Sequence, residues 1–284
     1  MASPRPSTAD KRKTYRALHE TGCFVLPNPW DIGSARYLQH AGFKALASTS
    51  AGYAFAQGLP DAAVDRDMML AHLRDLAAET DVPINADYEG GYADDPGEVA
   101  ANVKLCIDTG VAGLSIEDAT MDDSIPLYDF DLALARVRAA RAAIDKTNSG
   151  VLFTARTEGF IRNRPDIDET VRRLKAFADA GADCLYAPGV RSREHIEAVI
   201  KCVAPKPVNI LMPANLGFSV RDLEQMGARR ISVGGSLARV AWTAVARAAK
   251  EMLDPGTFTC FDGTMTNAEL NKLFREDAKK RNLS

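Results

Sequence analysis

The sequence predicts an α/β protein built as a (β/α)8 TIM barrel with an extra C-terminal helix, and three observations carry that prediction. Short apolar or β-branched runs alternate with longer amphipathic ones along nearly the whole chain, the pattern of βα units feeding a parallel sheet. Eight such units fit within about 250 residues, the usual number and length for this barrel. The turn after the first run reads PNPWDIGSA and lacks the Gly-x-Gly-x-x-Gly of a dinucleotide-binding doubly wound sheet.

In chain order the expected strands are CFVLP (23–27), KALAST (44–49), INAD (84–87), GLSIED (113–118), GVLFTAR (150–156), DCLYAP (183–188), PVNILM (207–212) and RISVGG (230–235). Several are entered from a helix that ends in a small residue plus glycine, in HAGF, DTGVAG, DAGAD and QMGAR. Glycine there supplies the left-handed cap that turns the chain back into the sheet. MTNAELNKLFREDAKKR (265–281) opens on a Thr or Asn cap with helical spacing, a ninth helix outside the barrel count. The expected organisation is a flexible lead-in over 1–18, the catalytic barrel over 19–253, and a helical arm over 254–284 that serves as an oligomer contact.

Composition narrows the function. Of 284 residues 46% are hydrophobic and 26% charged, with a formal net charge of -3 and no Lys/Arg run. Nucleic acid and anionic membrane both need a concentrated basic surface, so a small-molecule partner is expected instead. Five scattered cysteines without a Cys-x-x-Cys pair make a poor disulfide framework. The N-terminal stretch MASPRPSTADKRK has no apolar segment after its basic residues, and no run approaches the roughly 18 residues that span a bilayer. The expectation is a cytoplasmic protein.

In such barrels chemistry sits at the C-terminal ends of the strands. Strand two ends in Ser48, Thr49 and Ser50, and the loop after it carries Asp61. Strand three offers Asp87 and Glu89, which share a face if the strand runs that far. Strand four offers Glu117 and Asp118; strand five, Arg156, Thr157 and Glu158. Carboxylates from neighbouring strands repel one another at a single mouth unless something positive sits among them. A hard divalent cation meets that need, and oxygen ligands without His or Cys favour Mg2+ or Mn2+ over zinc. Taken singly, each acid reads equally well as a surface group or helix cap.

Absences matter too. His19, His40, His72 and His195 fall in helices or before the first strand and are expected at the surface. No lysine occupies the C-terminal half of a strand, which disfavours a Schiff-base aldolase. Arg156 is then the one permanent cation expected at the mouth, suited to a carboxylate or an oxyanion. Gly234 and Gly235 precede a helix whose bare amides could hold an anion, although close packing explains two glycines equally well.

GLPD after strand two, DYEGGY at strand three, IED at strand four and ARTEGF at strand five, in this order and spacing, resemble the isocitrate lyase and phosphoenolpyruvate mutase superfamily over roughly residues 20–250. The resemblance implies a homotetramer that exchanges a C-terminal helix, and an Mg2+ ion that chelates a 2-oxo or 2-hydroxy acid. It implies Asp87 as direct metal ligand, Asp61, Glu89 and Glu117 as ligands acting partly through water, and Arg156 as a substrate contact. Ser48 and Thr49 lie where the family binds a substrate carboxylate.

Departures from the family are as informative. Its Asp-x-Asp is here Asp87-Tyr88-Glu89. The Lys-x-Cys-Gly-His loop of the isocitrate-cleaving lyases is replaced by ATMDDSIPLYDF (119–130), and a family glutamate at the end of strand six is Pro188. The mutase and phosphonopyruvate hydrolase loop is not reproduced either. The enolate-stabilising half of the machinery is therefore present and the half that handles the leaving fragment is replaced. The expected activity is Mg2+-dependent C–C bond cleavage of a small 2-oxo or 2-hydroxy polycarboxylate in the manner of methylisocitrate lyase. Alternatives are oxaloacetate decarboxylation, a C–P bond enzyme, or a keto-acid-binding pseudoenzyme.

Overall fold

The computed structural model describes residues 4–281. Its strands are β1 (Phe24–Leu26), β2 (Leu46–Ala47), β3 (Ile84–Asp87), β4 (Gly113–Glu117), β5 (Leu152–Arg156), β6 (Cys184–Tyr186), β7 (Val208–Leu211) and β8 (Arg230–Ser232). All pairings are parallel, in the order β1-β8-β7-β6-β5-β4-β3-β2. The Ala47 amide donates to the Pro27 carbonyl at 3.0 Å, bridging the remaining gap between β1 and β2. This is the predicted (β/α)8 barrel, and all eight expected strands form.

The helices after the strands are α2 (Ile32–His40), α3 (Ser50–Ala56) with α4 (Arg66–Glu79), α5 (Pro96–Asp108), α6 (Phe130–Thr147), α7 (Ile167–Asp179), α8 (Arg193–Val203), α9 (Val220–Gln225) and α10 (Ser236–Leu253). Asp31, Asp65, Asp95, Asp129 and Asp166 each accept an amide of the following first turn. Capping therefore accounts for these loop acids, and the acids at the strand ends need a different reason. Gly42, Gly110, Gly181 and Gly227, the glycines of the four helix-ending motifs, all have φ between 93° and 102°. Among the described residues no helix is long and apolar enough to cross a membrane.

Residues 8–18 are not a flexible tail. Helix α1 (Thr8–Leu18) starts from a reciprocal Ser7–Asp10 capping box and closes the N-terminal end of the barrel. Arg12 donates to the carbonyls of Ile107 and Val111, and Arg16 to those of Gly150 and Val151, just ahead of β4 and β5. Tyr15 is fully buried in the floor. A Cβ on Gly113 would lie 2.5 Å from its ring, so the glycine makes room for the plug. The Pro/Ser-rich composition suggested a tail, but the capping box and the carbonyls awaiting partners outweigh it. Residues 1–3 of that stretch, and 282–284 of the expected arm, lie outside the described residues.

Two histidines also depart from expectation. His19 and His72 are buried rather than at the surface. His19 hydrogen-bonds the Tyr15 carbonyl and faces Arg230, and His72 stacks on Tyr53. Beyond α10, helix α11 (Asn267–Lys280) begins at a Thr266–Glu269 capping box. It returns to the barrel, where Arg281 binds Glu79 at 3.0 Å and Asp277 at 2.8 Å.

Candidate active site

β3 stops at Asp87, and the chain turns at once: Glu89 has φ 47°. Asp87 and Glu89 are thus not same-face strand neighbours as the two-residue period suggested, although both line the mouth. A left-handed non-glycine residue persists only where its surroundings hold it. Arg136 of α6 does so here, donating to the carbonyls of Gly90, Ala93 and Asp94.

Arg156, at the end of β5, is the hub. Its Nη1 lies 3.2 Å from both Asp87 Oδ1 and Glu117 Oε2, its Nε donates to Glu158 Oε1, and its guanidinium sits 5.2 Å over the Tyr186 ring. The other oxygen of Asp87 accepts the Ser50 amide at 3.0 Å and the Ser50 hydroxyl at 3.1 Å. The Asp87 amide donates to Ser48 Oγ at 2.8 Å. The ends of β3 through β6 thereby meet at one guanidinium, and the end of β2 joins them through Asp87.

The sequence places Glu158 at the end of strand five without a role, and Tyr186 was not expected at the mouth. Glu158, only two positions beyond Arg156, is buried against it, and Tyr186 closes the far side. Asp118 points away from the mouth as a brace. It pairs with Arg173 at 3.0 Å and accepts from Thr157 Oγ1 and the Glu158 amide. Nor is Arg156 the one cation at the mouth. Arg162 lines the same cavity, 4.0 Å from Glu117 and 3.9 Å from Asp123. Proximity in space rather than sequence pattern brings Arg162 in.

The mouth has two compartments that share Ser50, Asp61 and Arg156. An inner one of about 180 Å³ reaches into the barrel between Ser48, Thr49, Asp87, Gly234 and Gly235. An outer one of about 610 Å³ is lined by Glu89, Glu117, Glu158, Tyr92 and Tyr128. All the expected substrate and metal residues therefore face one or both compartments, with Asp61 exposed at the rim. Some are already engaged. Thr49 caps α3 through its hydroxyl. Asn28, buried, accepts from the amides of Val233 and Gly234 at 3.0 and 2.9 Å and donates to the Ser48 carbonyl at 2.9 Å. The Gly234 amide is thus occupied, and its φ of 55° explains the glycine.

Six carboxylates, Asp61, Asp87, Glu89, Asp94, Glu117 and Glu158, and three guanidiniums, Arg156, Arg162 and Arg230, line the two compartments. Burial, then the charges of Asp87 and Asp61, push the Glu89 carboxyl up to about 7. Burial lifts Glu117 well above the carboxylate range against the pull of Arg156, and raises Glu158 as well. Glu117, Glu158 and Asp87 in turn keep Arg156 charged despite its burial. Glu89 Oε1 is buried without a hydrogen-bond partner. An excess of buried negative charge is relieved by protons or by a cation.

The donor set, all oxygen with one orphaned carboxylate oxygen, fits a hard divalent ion. Among the described residues no three His, Cys, Asp or Glu side chains are already gathered as a metal cluster. Asp87, Glu117 and Glu158 are instead organised around Arg156. The replaced loop folds back as a short hairpin through an Ala119–Leu127 bridge and presents Thr120, Met121 and Tyr128 to the outer compartment. The Tyr128 hydroxyl donates to Asp94, and its ring lies 4.0 Å from the Arg136 guanidinium.

Comparison with known proteins agrees with this geometry. The family model for phosphoenolpyruvate phosphomutase matches residues 15–253. A crystal structure of a candidate lyase/mutase from Burkholderia cenocepacia J2315 superposes with a TM-score of 0.92 at 45% identity, covering 94% of this chain and 97% of that one. The oxaloacetate decarboxylase of Paraburkholderia xenovorans strain LB400 is 31% identical over 69% of this chain and 67% of its own length. A crystal structure of 2,3-dimethylmalate lyase has a TM-score of 0.82 at 28% identity, covering 97% of both chains. With a barrel of this topology and its carboxylates gathered around Arg156, the chain belongs to the phosphoenolpyruvate mutase family of the isocitrate lyase/phosphoenolpyruvate mutase superfamily.

Proposed function

We propose that this enzyme is a carbon–carbon lyase that cleaves a small 2-oxo or 2-hydroxy polycarboxylate through an enolate, assisted by Mg2+ or Mn2+. The observation that carries the reading is the Arg156 guanidinium held at the mouth by Asp87, Glu117 and Glu158. A cation fixed in place before reaction stabilises negative charge as it develops on the substrate's C2 oxygen, without the reorganisation that water would need. Asp87, Asp61, Glu89 and Glu117 are the residues that would hold the metal ion. Bound there, the ion supplies Lewis-acid polarisation of the oxo group. Ser50 fixes the Asp87 carboxylate in position through two hydrogen bonds. Glu117 lies beside Arg156, and burial raises its carboxyl well above the ordinary carboxylate range.

A second reading is decarboxylation of oxaloacetate. It is favoured by the 119–130 loop, whose cavity-facing side chains Thr120, Met121 and Tyr128 include no Cys, Lys or His to protonate a departing fragment. Loss of CO2 leaves only the enolate to be protonated, and water can do that. The C–P alternative needs a phosphate-sized anion site at Gly234–Ser236, and the occupied Gly234 amide weighs against it.

The test is to incubate the protein and Mg2+ with oxaloacetate, methylisocitrate, dimethylmalate and phosphonopyruvate, and to measure pyruvate. Production from a C–C substrate supports the reading and names the bond. If no acid yields pyruvate and Asp87→Ala leaves cation binding unchanged, the reading is wrong.

A further inference from the structure

Building on the lyase reading, we propose that Arg162 sets the substrate class by binding a distal carboxylate, so that the site takes acids with a carboxylate beyond the two-carbon head in preference to acids without one. Arg162 lies on the turn that follows β5. Its amide and that of Ile161 both donate to the Glu158 carbonyl at 3.0 Å, and the Arg164 amide donates to that of Gly159 at 2.8 Å. The segment that carries Arg156 and Glu158 therefore also fixes the root of Arg162.

Its guanidinium, unlike the others nearby, is not engaged. Among the described residues its side chain makes no hydrogen bond. Its two acidic neighbours, Glu117 Oε1 and Asp123 Oδ1, lie at 4.0 and 3.9 Å, beyond hydrogen-bonding distance. Asp123 is fully exposed, so its attraction contributes little. Arg136 is fastened to three carbonyls and Arg173 to Asp118 and Glu169, as structural arginines are. Arg162 keeps a planar fork of donors facing the outer compartment, suited to bidentate capture of a carboxylate.

The two compartments give that capture its meaning. A substrate head in the inner compartment contacts Arg156, and Arg156 also lines the outer one. Glu117 spans the two cations, with Oε2 on Arg156 and Oε1 toward Arg162. The two guanidiniums are thus one carboxylate apart. A diacid of four or five carbons that starts at Arg156 carries its far carboxylate to Arg162, whereas an acid that ends at the head site leaves Arg162 unmatched in a cavity crowded with acids.

Calorimetric titration with Mg2+ present tests the proposal, using oxalate, which fits the head site alone, and malate, which reaches outward. The proteins are wild type, Arg162→Gln and Arg162→Lys, with circular dichroism to check folding. Arg162→Gln is expected to weaken malate at least tenfold and oxalate less than twofold, while Arg162→Lys recovers part of the loss. Equal weakening of both ligands, or of neither, overturns the proposal, as does unchanged KM for oxaloacetate in Arg162→Gln. The lyase reading fails separately: if no acid is turned over but the malate-to-oxalate ratio still depends on residue 162, the distal site stands and the reaction does not. Wild-type protein that binds neither ligand overturns both.

Discussion

Replacing Glu89 by glutamine tests whether the mouth is an acid cluster awaiting a cation. The Glu89 carboxyl is lifted from an ordinary 4.5 to about 7. A carboxyl raised in the folded state adds stability in its protonated form, fully below the unfolded value and lost as pH rises through the folded one. The size of that loss is roughly 3 kcal/mol, at about 1.4 kcal/mol per pH unit of displacement. For 284 residues, an unfolding entropy of about 2 cal/mol/K per residue converts it to roughly 5 °C. Glutamine cannot ionise, so the melting temperature of Glu89→Gln relative to wild type, without divalent ions, should climb by several degrees from about pH 5 to about pH 8. Any fixed cost of the glutamine cancels in that comparison. Adding Mg2+ at the higher pH should then stabilise wild type more than the variant. A difference between the two proteins that stays flat with pH would refute the argument that Glu89 is held as a strained, unpaired carboxylate.

Other outcomes follow from the same geometry. Arg156→Lys keeps the charge but loses the contacts of the fork to Asp87, Glu117 and Glu158, and kcat on whichever acid is turned over should fall by about 10²–10³-fold, as for loss of an oxyanion donor. Asn28→Ala leaves the Val233 and Gly234 amides without their acceptor; unfolding in denaturant should show a loss of about 2 kcal/mol or more, with partial recovery in Asn28→Asp, which restores the acceptor. Trp242, Val245, Met252 and Leu253 form an exposed apolar face on α10. We propose that a second copy of the chain covers it, and Trp242→Asp with Leu253→Asp should lower the mass measured by analytical ultracentrifugation.

Much of the fold was legible because it follows from local rules. The alternation of apolar runs and amphipathic segments sets the βα rhythm, and the four glycines at helix ends sit at positive φ because only they turn the chain there without cost. The strand-end acids were legible because barrel topology sends every strand's C-terminus to the same face. α1 was missed because its fixing partners, the carbonyls near residues 107, 111, 150 and 151, lie far along the chain. Buried His19 and His72 were missed for the same reason, since a histidine on a helix carries no mark of what packs on it.

The sequence by itself determined the barrel, the order of its strands, and the set of acids and Arg156 at their ends, since these depend on periodicity and on chain direction. Only the tertiary structure decided how those groups divide the work. Asp118, one residue past β4, leaves the mouth for Arg173, and Glu158, two residues past β5, enters it beside Arg156. Arg162 stays loosely held because, among the described residues, its acidic neighbours lie at 3.9 and 4.0 Å, beyond hydrogen-bonding distance. The physical reason is that electrostatic roles depend on distance through space and on burial, and neither is encoded in the spacing of residues along the chain.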